Sequence, residues 1–203
     1  MIAIVDYGVG NLYSLVSSLR HLGLAAEVTG RAEDLRAADR IVLPGVGAFA
    51  DARAKLDATG LVPVLLEEAE KKPLLGICLG MQLLFGRSFE YGEHAGLGLI
   101  PGEVADLRED LADKSLKVPH MGWNSLEIQR DDPLLRYVGG GEYVYYVHSF
   151  YARRCAGSTV AVSRYGNVAV TGVVRRGCVW GTQFHPEKSG DTGLRILKAF
   201  GAL

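Results

Sequence analysis

Short apolar runs alternate with longer segments of helical periodicity through the first 85 residues of the chain. The apolar runs that predict strands cover residues 2–5, 25–28, 40–43 and 74–77. Apolar residues recur at helical spacing over 12–22 and 61–71, and residues 81–85 have the composition of a further helix opening. Strands and helices in alternation favour a parallel, βα-wound sheet with helices on its faces.

From about residue 99 onward, strand-like segments dominate and are separated by Gly or Asn turns. They cover residues 126–128, 143–147, 159–164, 168–174 and 178–183, and a helix over 191–200 ends the chain. We therefore predict an α/β fold with a mixed, mostly parallel open sheet flanked by helices and an antiparallel, β-rich C-terminal half. Because no Ser/Pro-rich linker or charge block divides the chain, we expect a single domain over residues 1–203.

The composition is that of an ordinary globular protein, with 48% apolar and 22% charged residues and a net charge of −1. A charge so close to zero gives no electrostatic reason to expect binding to nucleic acid or to a membrane. Met1 leads directly into the first predicted strand, so we expect no signal peptide. Three cysteines without a Cys-x-x-Cys pair favour a reducing compartment such as the cytoplasm, and no metal-ligand spacing occurs, so we expect no metal and no other cofactor.

The segment Gly76-Ile77-Cys78-Leu79-Gly80 places a cysteine between a predicted strand and a predicted helix. It is the thiol counterpart of the Gly-x-Ser-x-Gly nucleophile elbow, in which glycines permit a strained turn. A thiol at the start of a helix favours the thiolate form, which is the nucleophile. The alternative is a buried packing cysteine, because free cysteine is among the most buried residue types.

A possible base for this nucleophile lies near the other end of the chain, in Phe184-His185-Pro186-Glu187. Pro186 favours an extended conformation at His185, and in an extended segment residues two apart point to the same side. Glu187 can therefore orient the imidazole of His185, which completes a Cys78, His185 and Glu187 triad. Taken alone, His185 or Glu187 is better explained as part of a surface pair that caps the last helix.

Acyl transfer also requires two N–H donors directed at the developing oxyanion. We predict that they are the amide of Leu79, directly after the nucleophile, and that of Val46 in the turn Pro44-Gly45-Val46-Gly47. That turn is alternatively a tight connection without chemistry. The glycine pair Gly8-x-Gly10 is weak support for a dinucleotide site, because Tyr13 stands where the third glycine would be.

Three segments, in order along nearly the whole chain, resemble the class I (triad) glutamine amidotransferase family. They are Leu43-Pro44-Gly45-Val46-Gly47, Gly76-Ile77-Cys78-Leu79-Gly80-Met81-Gln82 and Thr182-Gln183-Phe184-His185-Pro186-Glu187. The resemblance implies hydrolysis of L-glutamine to glutamate and ammonia through a cysteinyl thioester. It also implies that Gly47, Gln82, Val147, His148 and Ser149 contact the substrate. From spacing alone, Gln82 is equally a helix-surface amide, and 147–149 is only the end of an aromatic-rich strand.

Other stretches are similar to the members of this family that serve histidine biosynthesis. They are Asp6-Tyr7-Gly8-Val9-Gly10-Asn11-Leu12, Pro119-His120-Met121-Gly122-Trp123-Asn124, Val147-His148-Ser149 and Glu187-Lys188-Ser189-Gly190. The similarity implies a heterodimer with a (β/α)₈-barrel cyclase subunit that receives the ammonia for imidazole glycerol phosphate synthesis. By this similarity, interface positions are Asn11, Trp123 and Lys188. Taken singly, each is better explained as an ordinary loop or surface residue. The rival functions are a cysteine peptidase, an amidotransferase subunit for anthranilate, carbamoyl phosphate or GMP synthesis, and a non-catalytic binding module.

Overall fold

An eight-stranded mixed sheet forms the centre of the computed structural model, which describes residues 1–203. In chain order the strands are β1 (Ile2–Val5), β2 (Ala26–Thr29), β3 (Arg40–Leu43), β4 (Leu74–Ile77), β5 (Phe85–Ser88), β6 (His94–Ala95), β7 (Ile100–Asp106), β8 (His120–Ser125), β9 (Glu127–Ile128), β10 (Tyr143–His148), β11 (Phe150–Arg153), β12 (Thr159–Tyr165), β13 (Val168–Arg176) and β14 (Val179–Thr182). The helices are α1 (Leu12–His21), α2 (Ala32–Ala37), α3 (Phe49–Ala58), α4 (Val62–Ala69), α5 (Leu79–Leu83), α6 (Leu107–Asp110) and α7 (Gly190–Gly201), with 3₁₀ turns at Pro133–Leu135 and Pro186–Lys188.

The central sheet has the strand order β2-β1-β3-β4-β14-β13-β12-β9. The five strands from β2 to β14 pair in parallel, and the pairs from β14 to β9 are antiparallel. Because parallel strands all end at the same edge, the loops after β1, β3, β4 and β14 meet there. The predicted mixed sheet, with its parallel half and its antiparallel C-terminal half, is therefore confirmed.

Alternate residues of each central strand pack on opposite faces of the sheet, as the two-residue period of a strand requires. Ile2 and Ile4 join one apolar cluster, which includes Leu15 of α1 and Phe200 of α7. Ala3 and Val5 join the other, which includes Phe49 and Leu56 of α3. Burying an Ile, Val, Leu or Phe side chain contributes about 1.5–3 kcal/mol to the stability of the fold, so helix packing on both faces stabilises the sheet.

Two smaller sheets adjoin the central one. One has the strand order β11-β7-β5-β6, and the other is an antiparallel ribbon of β8 and β10. The ribbon pairs His120 with His148 and Trp123 with Tyr145. Strand β10 leads through Ser149 into β11, so this connection carries the segment predicted to contact substrate.

The predicted elements are present with bounds that agree to within two residues, but the helix after Cys78 was placed too late and several elements were not predicted, among them α2, α3, α6 and β8. The helix after Cys78 begins at Leu79, two residues earlier than predicted, and ends at Leu83, so that β5 begins at Phe85. Helix α3 was not predicted, because only Phe49, Ala52 and Leu56 among its ten residues are buried. The four-stranded sheet β11-β7-β5-β6 was not predicted, because residues such as Gly86 and Arg87 in β5 are exposed and interrupt the apolar pattern. No helix has both the length and the hydropathy needed to cross a membrane.

Candidate active site

Cys78 occupies a strained backbone conformation between β4 and α5. Its φ and ψ are 54° and −110°, a region that a residue with a side chain rarely adopts. The Cys78 N–H donates to the carbonyl oxygen of Thr182 at 2.7 Å, and the Gln82 N–H donates to the Cys78 carbonyl oxygen at 3.1 Å. These bonds fix both sides of the turn, and strain maintained in this way is typical of functional sites.

The turn at residues 44–47 packs directly against the backbone of the elbow. A Cβ atom at Gly45 would lie 2.6 Å from the Gly80 nitrogen, and one at Gly80 would overlap the Leu43 carbonyl group. The buried Tyr7 hydroxyl also donates to the Pro44 carbonyl oxygen at 2.6 Å. The two motifs therefore form one compact unit, which only residues without a side chain at positions 45 and 80 allow.

His185 and Glu187 form a buried pair at the end of β14. His185 Nδ1 lies 2.8 Å from Glu187 Oε1, and both side chains are 3% exposed. The His185 N–H donates to the Tyr145 carbonyl oxygen at 3.0 Å, and the Ser189 hydroxyl donates to the His185 carbonyl oxygen at 2.7 Å. With Nδ1 engaged by the carboxylate, Nε2 is the ring nitrogen left for the sulfur.

The environment of His185 favours the charged imidazolium. Burial alone lowers the pKa of His185, but hydrogen bonding and charge interactions with Cys78 and Glu187 outweigh burial and raise the pKa to about 10. At neutral pH the ring therefore carries a proton that it can donate, and a positive charge beside the sulfur favours thiolate.

Two buried glutamine side chains, Gln82 and Gln183, contact each other near the Cys78 sulfur. Gln82 Nε2 donates to the Phe150 carbonyl oxygen at 2.9 Å and to Gln183 Oε1 at 3.1 Å. Both hydrogens of this amide are thus used within the protein, and only Oε1 of Gln82 can still accept a hydrogen bond. The idea that Gln82 is a helix-surface amide is wrong, because this residue is 4% exposed.

A cavity of about 350 Å³ opens beside Cys78. Nine residues predicted from the sequence line it: Val46, Gly47, Cys78, Leu79, Gln82, Val147, His148, Ser149 and His185. Glu90, Tyr91, Pro119 and Phe150 also line it, and sequence reasoning did not include them. Glu90 is 8% exposed and accepts the Phe49 N–H at 2.7 Å, and burial raises the pKa of its carboxyl group. Nothing in the local pattern marks these residues, because they reach the cavity from separate loops and strands.

A chain of hydrogen bonds supports the wall of the cavity at His148. His148 Nδ1 lies 2.9 Å from the Phe150 carbonyl oxygen and must carry the hydrogen, so Nε2 accepts from His120 Nδ1 at 3.0 Å. Asn124 Nδ2 then donates to His120 Nε2 at 3.2 Å. Burial lowers the pKa of His120 to about 4 and that of His148 to about 3, so both rings are neutral.

The three residues predicted at an interface lie near the His185 loop. Asn11 is half-buried, and its Nδ2 donates to Glu187 Oε1 at 3.4 Å. Lys188 is exposed in the 3₁₀ turn that contains Glu187. Trp123 is 56% exposed, and a Cβ at Gly190 would lie 3.8 Å from its ring. Met121 and Tyr143 of the same ribbon are also exposed, so an apolar surface adjoins the catalytic pair.

Comparisons with known proteins agree on one family. The sequence model described as glutamine amidotransferase class-I matches residues 3–202. The HisH subunit of imidazole glycerol phosphate synthase from Bacillus cereus (strain B4264) is 49% identical over 201 residues, which cover 98% of this chain and 93% of that one. The subunit of the same name from Syntrophotalea carbinolica is 47% identical and covers 99% of both chains. The corresponding subunit from Caldanaerobacter subterraneus subsp. tengcongensis is 46% identical, and the match covers 100% of this chain and 98% of that one.

Solved structures share the fold at low sequence identity. A crystal structure of a glutamine amidotransferase superposes with a TM-score of 0.75 at 21% identity, covering 99% of this chain and 100% of the other. The structure of PurLQS from Thermotoga maritima superposes with a TM-score of 0.74 at 20% identity, covering 98% and 96%. At these identities the likeness concerns the fold alone.

Proposed function

The chain belongs to the class-I glutamine amidotransferase family, and from that premise we propose that it is the glutaminase subunit of an imidazole glycerol phosphate synthase. As a single domain over residues 1–203 in the cytoplasm, it hydrolyses L-glutamine and delivers the ammonia to a cyclase subunit for histidine biosynthesis. The identity of 46–49% over nearly whole chains supports this assignment. Three free cysteines without a disulfide agree with a reducing compartment.

In the first half of the reaction the Cys78 thiolate attacks the side-chain carboxamide carbon of glutamine. His185, held as imidazolium, donates its proton to the departing nitrogen, and ammonia leaves a glutamyl thioester. In the second half neutral His185 removes a proton from water, which attacks the thioester and releases glutamate and the thiolate. Glu187 keeps the proton of His185 on Nδ1 and stabilises the positive charge of the imidazolium. The 2.8 Å contact between His185 Nδ1 and Glu187 Oε1 supports this role.

Each half passes through a tetrahedral oxyanion. We propose that the backbone N–H groups of Val46 and Leu79 donate to it. Both residues line the cavity beside Cys78, and the close packing of Gly45 on Gly80 keeps their two backbones together. Removing one such donor typically costs about 100- to 1000-fold in turnover.

The remaining lining residues bind the other groups of the substrate. Gln82 accepts an N–H of the substrate at Oε1, because its amide hydrogens are already used. Glu90 pairs with the α-ammonium group, since it is the one carboxylate among the lining residues. The backbone of Val147, His148 and Ser149 binds the α-carboxylate, with Gly47 closing the opposite side. A cavity of about 350 Å³ suits a single amino acid better than the extended peptide that a cysteine peptidase would need.

A partner is expected because ammonia released into neutral water becomes ammonium, which is not nucleophilic. We propose that a (β/α)₈-barrel cyclase covers the surface formed by Asn11, Trp123 and Lys188. This surface is supported by its exposed aromatic residues and by its position next to the catalytic pair. Ammonia would then pass to the partner without entering bulk water.

The observation that carries the proposal is the cavity that Cys78 and His185 both line. The test is glutamate release from L-glutamine by the chain together with a barrel cyclase and its nucleotide substrate. Cys78→Ala should abolish release but leave the assembled complex able to use added ammonium salts. Cys178→Ala, at the opposite end of β14 from the site, is the matched control and should retain activity. Glutamate release by the Cys78→Ala complex would contradict the proposal.

A further inference from the structure

Gln183 is a buried polar residue that the mechanism above does not use. It follows β14 directly and is completely buried, and its Nε2 lies 3.8 Å from Cys78 Sγ. We infer that Gln183 is a further catalytic residue, whose side-chain N–H donates a hydrogen bond to the Cys78 sulfur while that atom is negatively charged. The inference rests on the proposed function, since it assigns a role in the same site.

The orientation of the Gln183 amide follows from its neighbours. The Phe150 carbonyl oxygen can only accept, so the group of Gln82 that faces it must be the nitrogen. The second hydrogen of that nitrogen points at Gln183, where it requires an oxygen. Gln183 Oε1 therefore accepts from Gln82 Nε2, and Gln183 Nε2 faces the Cys78 sulfur.

This contact acts differently at successive stages of the reaction. A hydrogen bond to an ionised acceptor is about twice as strong as one between neutral groups. The N–H of Gln183 therefore stabilises the thiolate before attack and again when the thioester breaks and the electron pair returns to sulfur. In the thioester the sulfur carries no charge, and the bond weakens. Since Gln183 is anchored through Gln82 to the backbone of Phe150, it also holds the sulfur against the wall of the cavity.

Alkylation of Cys78 tests this contact without requiring glutaminase activity. Gln183→Met keeps the size of the side chain but removes the donor. The alkylation rate with iodoacetamide, followed by mass spectrometry of the peptide that contains Cys78, should fall several-fold at neutral pH, because the thiolate loses a stabilising hydrogen-bond donor. Gln183→Glu should slow alkylation further, because a carboxylate beside the thiolate repels it. Gln129→Met, at an exposed glutamine, is the matched control and should react like the unaltered chain.

The same contact can be followed in the unaltered chain. The sequence has only three glutamines, at positions 82, 129 and 183, so ¹⁵N-labelled side-chain amides give a simple spectrum. The Gln183 resonance should move with pH as Cys78 ionises and should lose this response in Cys78→Ala. A Gln183 signal that does not respond, or alkylation rates unchanged in folded Gln183→Met and Gln183→Glu, would overturn the inference. Absence of glutaminase activity in the unaltered complex would instead overturn the proposed function.

Discussion

Replacing Glu187 with glutamine removes the negative charge beside His185 and changes the volume of the side chain very little. The carboxylate is 3% exposed and lies 2.8 Å from His185 Nδ1, while Asn11 donates to the same oxygen. A carboxamide oxygen can still accept from Nδ1, so the triad geometry is kept and the charge alone is lost. Glu187→Gln therefore isolates the electrostatic contribution of the acid.

The size of the effect follows from the contact. A hydrogen bond to a charged group contributes about 1.5–3 kcal/mol, and a neutral acceptor gives roughly half of that. The stabilisation of the imidazolium should fall by about 1–1.5 kcal/mol. The loss is larger if the amide rotates so that its nitrogen faces Nδ1. Since about 1.4 kcal/mol corresponds to a tenfold change in rate, this loss should lower kcat about 5- to 13-fold, and a rotated amide should lower it further. His185→Ala should be more damaging, because it removes the acid and base itself.

The pH dependence supplies a second readout. The pKa of His185 is raised to about 10 in the folded chain, against about 6.5 in an unfolded one. The stability contributed by this charge is fully present below about pH 6.5 and is lost as pH rises toward about 10. Glu187→Gln should lower this pKa, so the alkaline limbs of both kcat and the free energy of unfolding should move to lower pH.

The assay is glutamate release by the assembled complex at saturating glutamine over a range of pH. Melting temperature and circular dichroism should be recorded on the same samples. Glu127→Gln, which alters an exposed acid in β9, is the control for loss of one negative charge. An unchanged kcat and an unchanged alkaline limb in folded Glu187→Gln would refute the assigned role of Glu187.

Two further predictions concern substrate binding and stability. Glu90→Gln should raise KM for glutamine about tenfold with little change in kcat. The reason is that losing a partly desolvated ion pair to the α-ammonium group costs roughly 1–2 kcal/mol. Steady-state kinetics would measure KM, and an unchanged KM would exclude this role of Glu90. Lys72→Met should lower the free energy of unfolding by about 1–3 kcal/mol in urea titrations. The Lys72 ammonium lies 2.7 Å from the nearly buried Glu68 carboxylate and donates to three carbonyl oxygens at the end of α2. Lys55→Met, which breaks an exposed pair with Asp51, should cost much less.

The local pattern was sufficient for the strands that carry the catalytic groups. Strands β1, β3 and β4 have the predicted bounds because each is a short, mainly apolar run ended by a turn residue or the elbow. The pairing of His185 with Glu187 was predicted correctly, but its geometric reason was wrong beyond His185. Only His185 is extended, and a 3₁₀ turn over Pro186–Lys188 brings Glu187 back to the imidazole. Where exposed residues interrupt the apolar pattern, as in β5, prediction failed.

The sequence by itself determined the elbow at Cys78 and the short apolar strands β1, β3 and β4, because these depend on neighbours in the chain. Only the tertiary structure decided which distant groups meet them. Gln82 and Gln183 are 101 residues apart and touch because β4, which leads into the helix of Gln82, and β14, which ends just before Gln183, are adjacent in the sheet. Glu90 enters the cavity from a loop without a recognisable pattern. Such contacts depend on the order of strands and the packing of loops, which no local periodicity specifies.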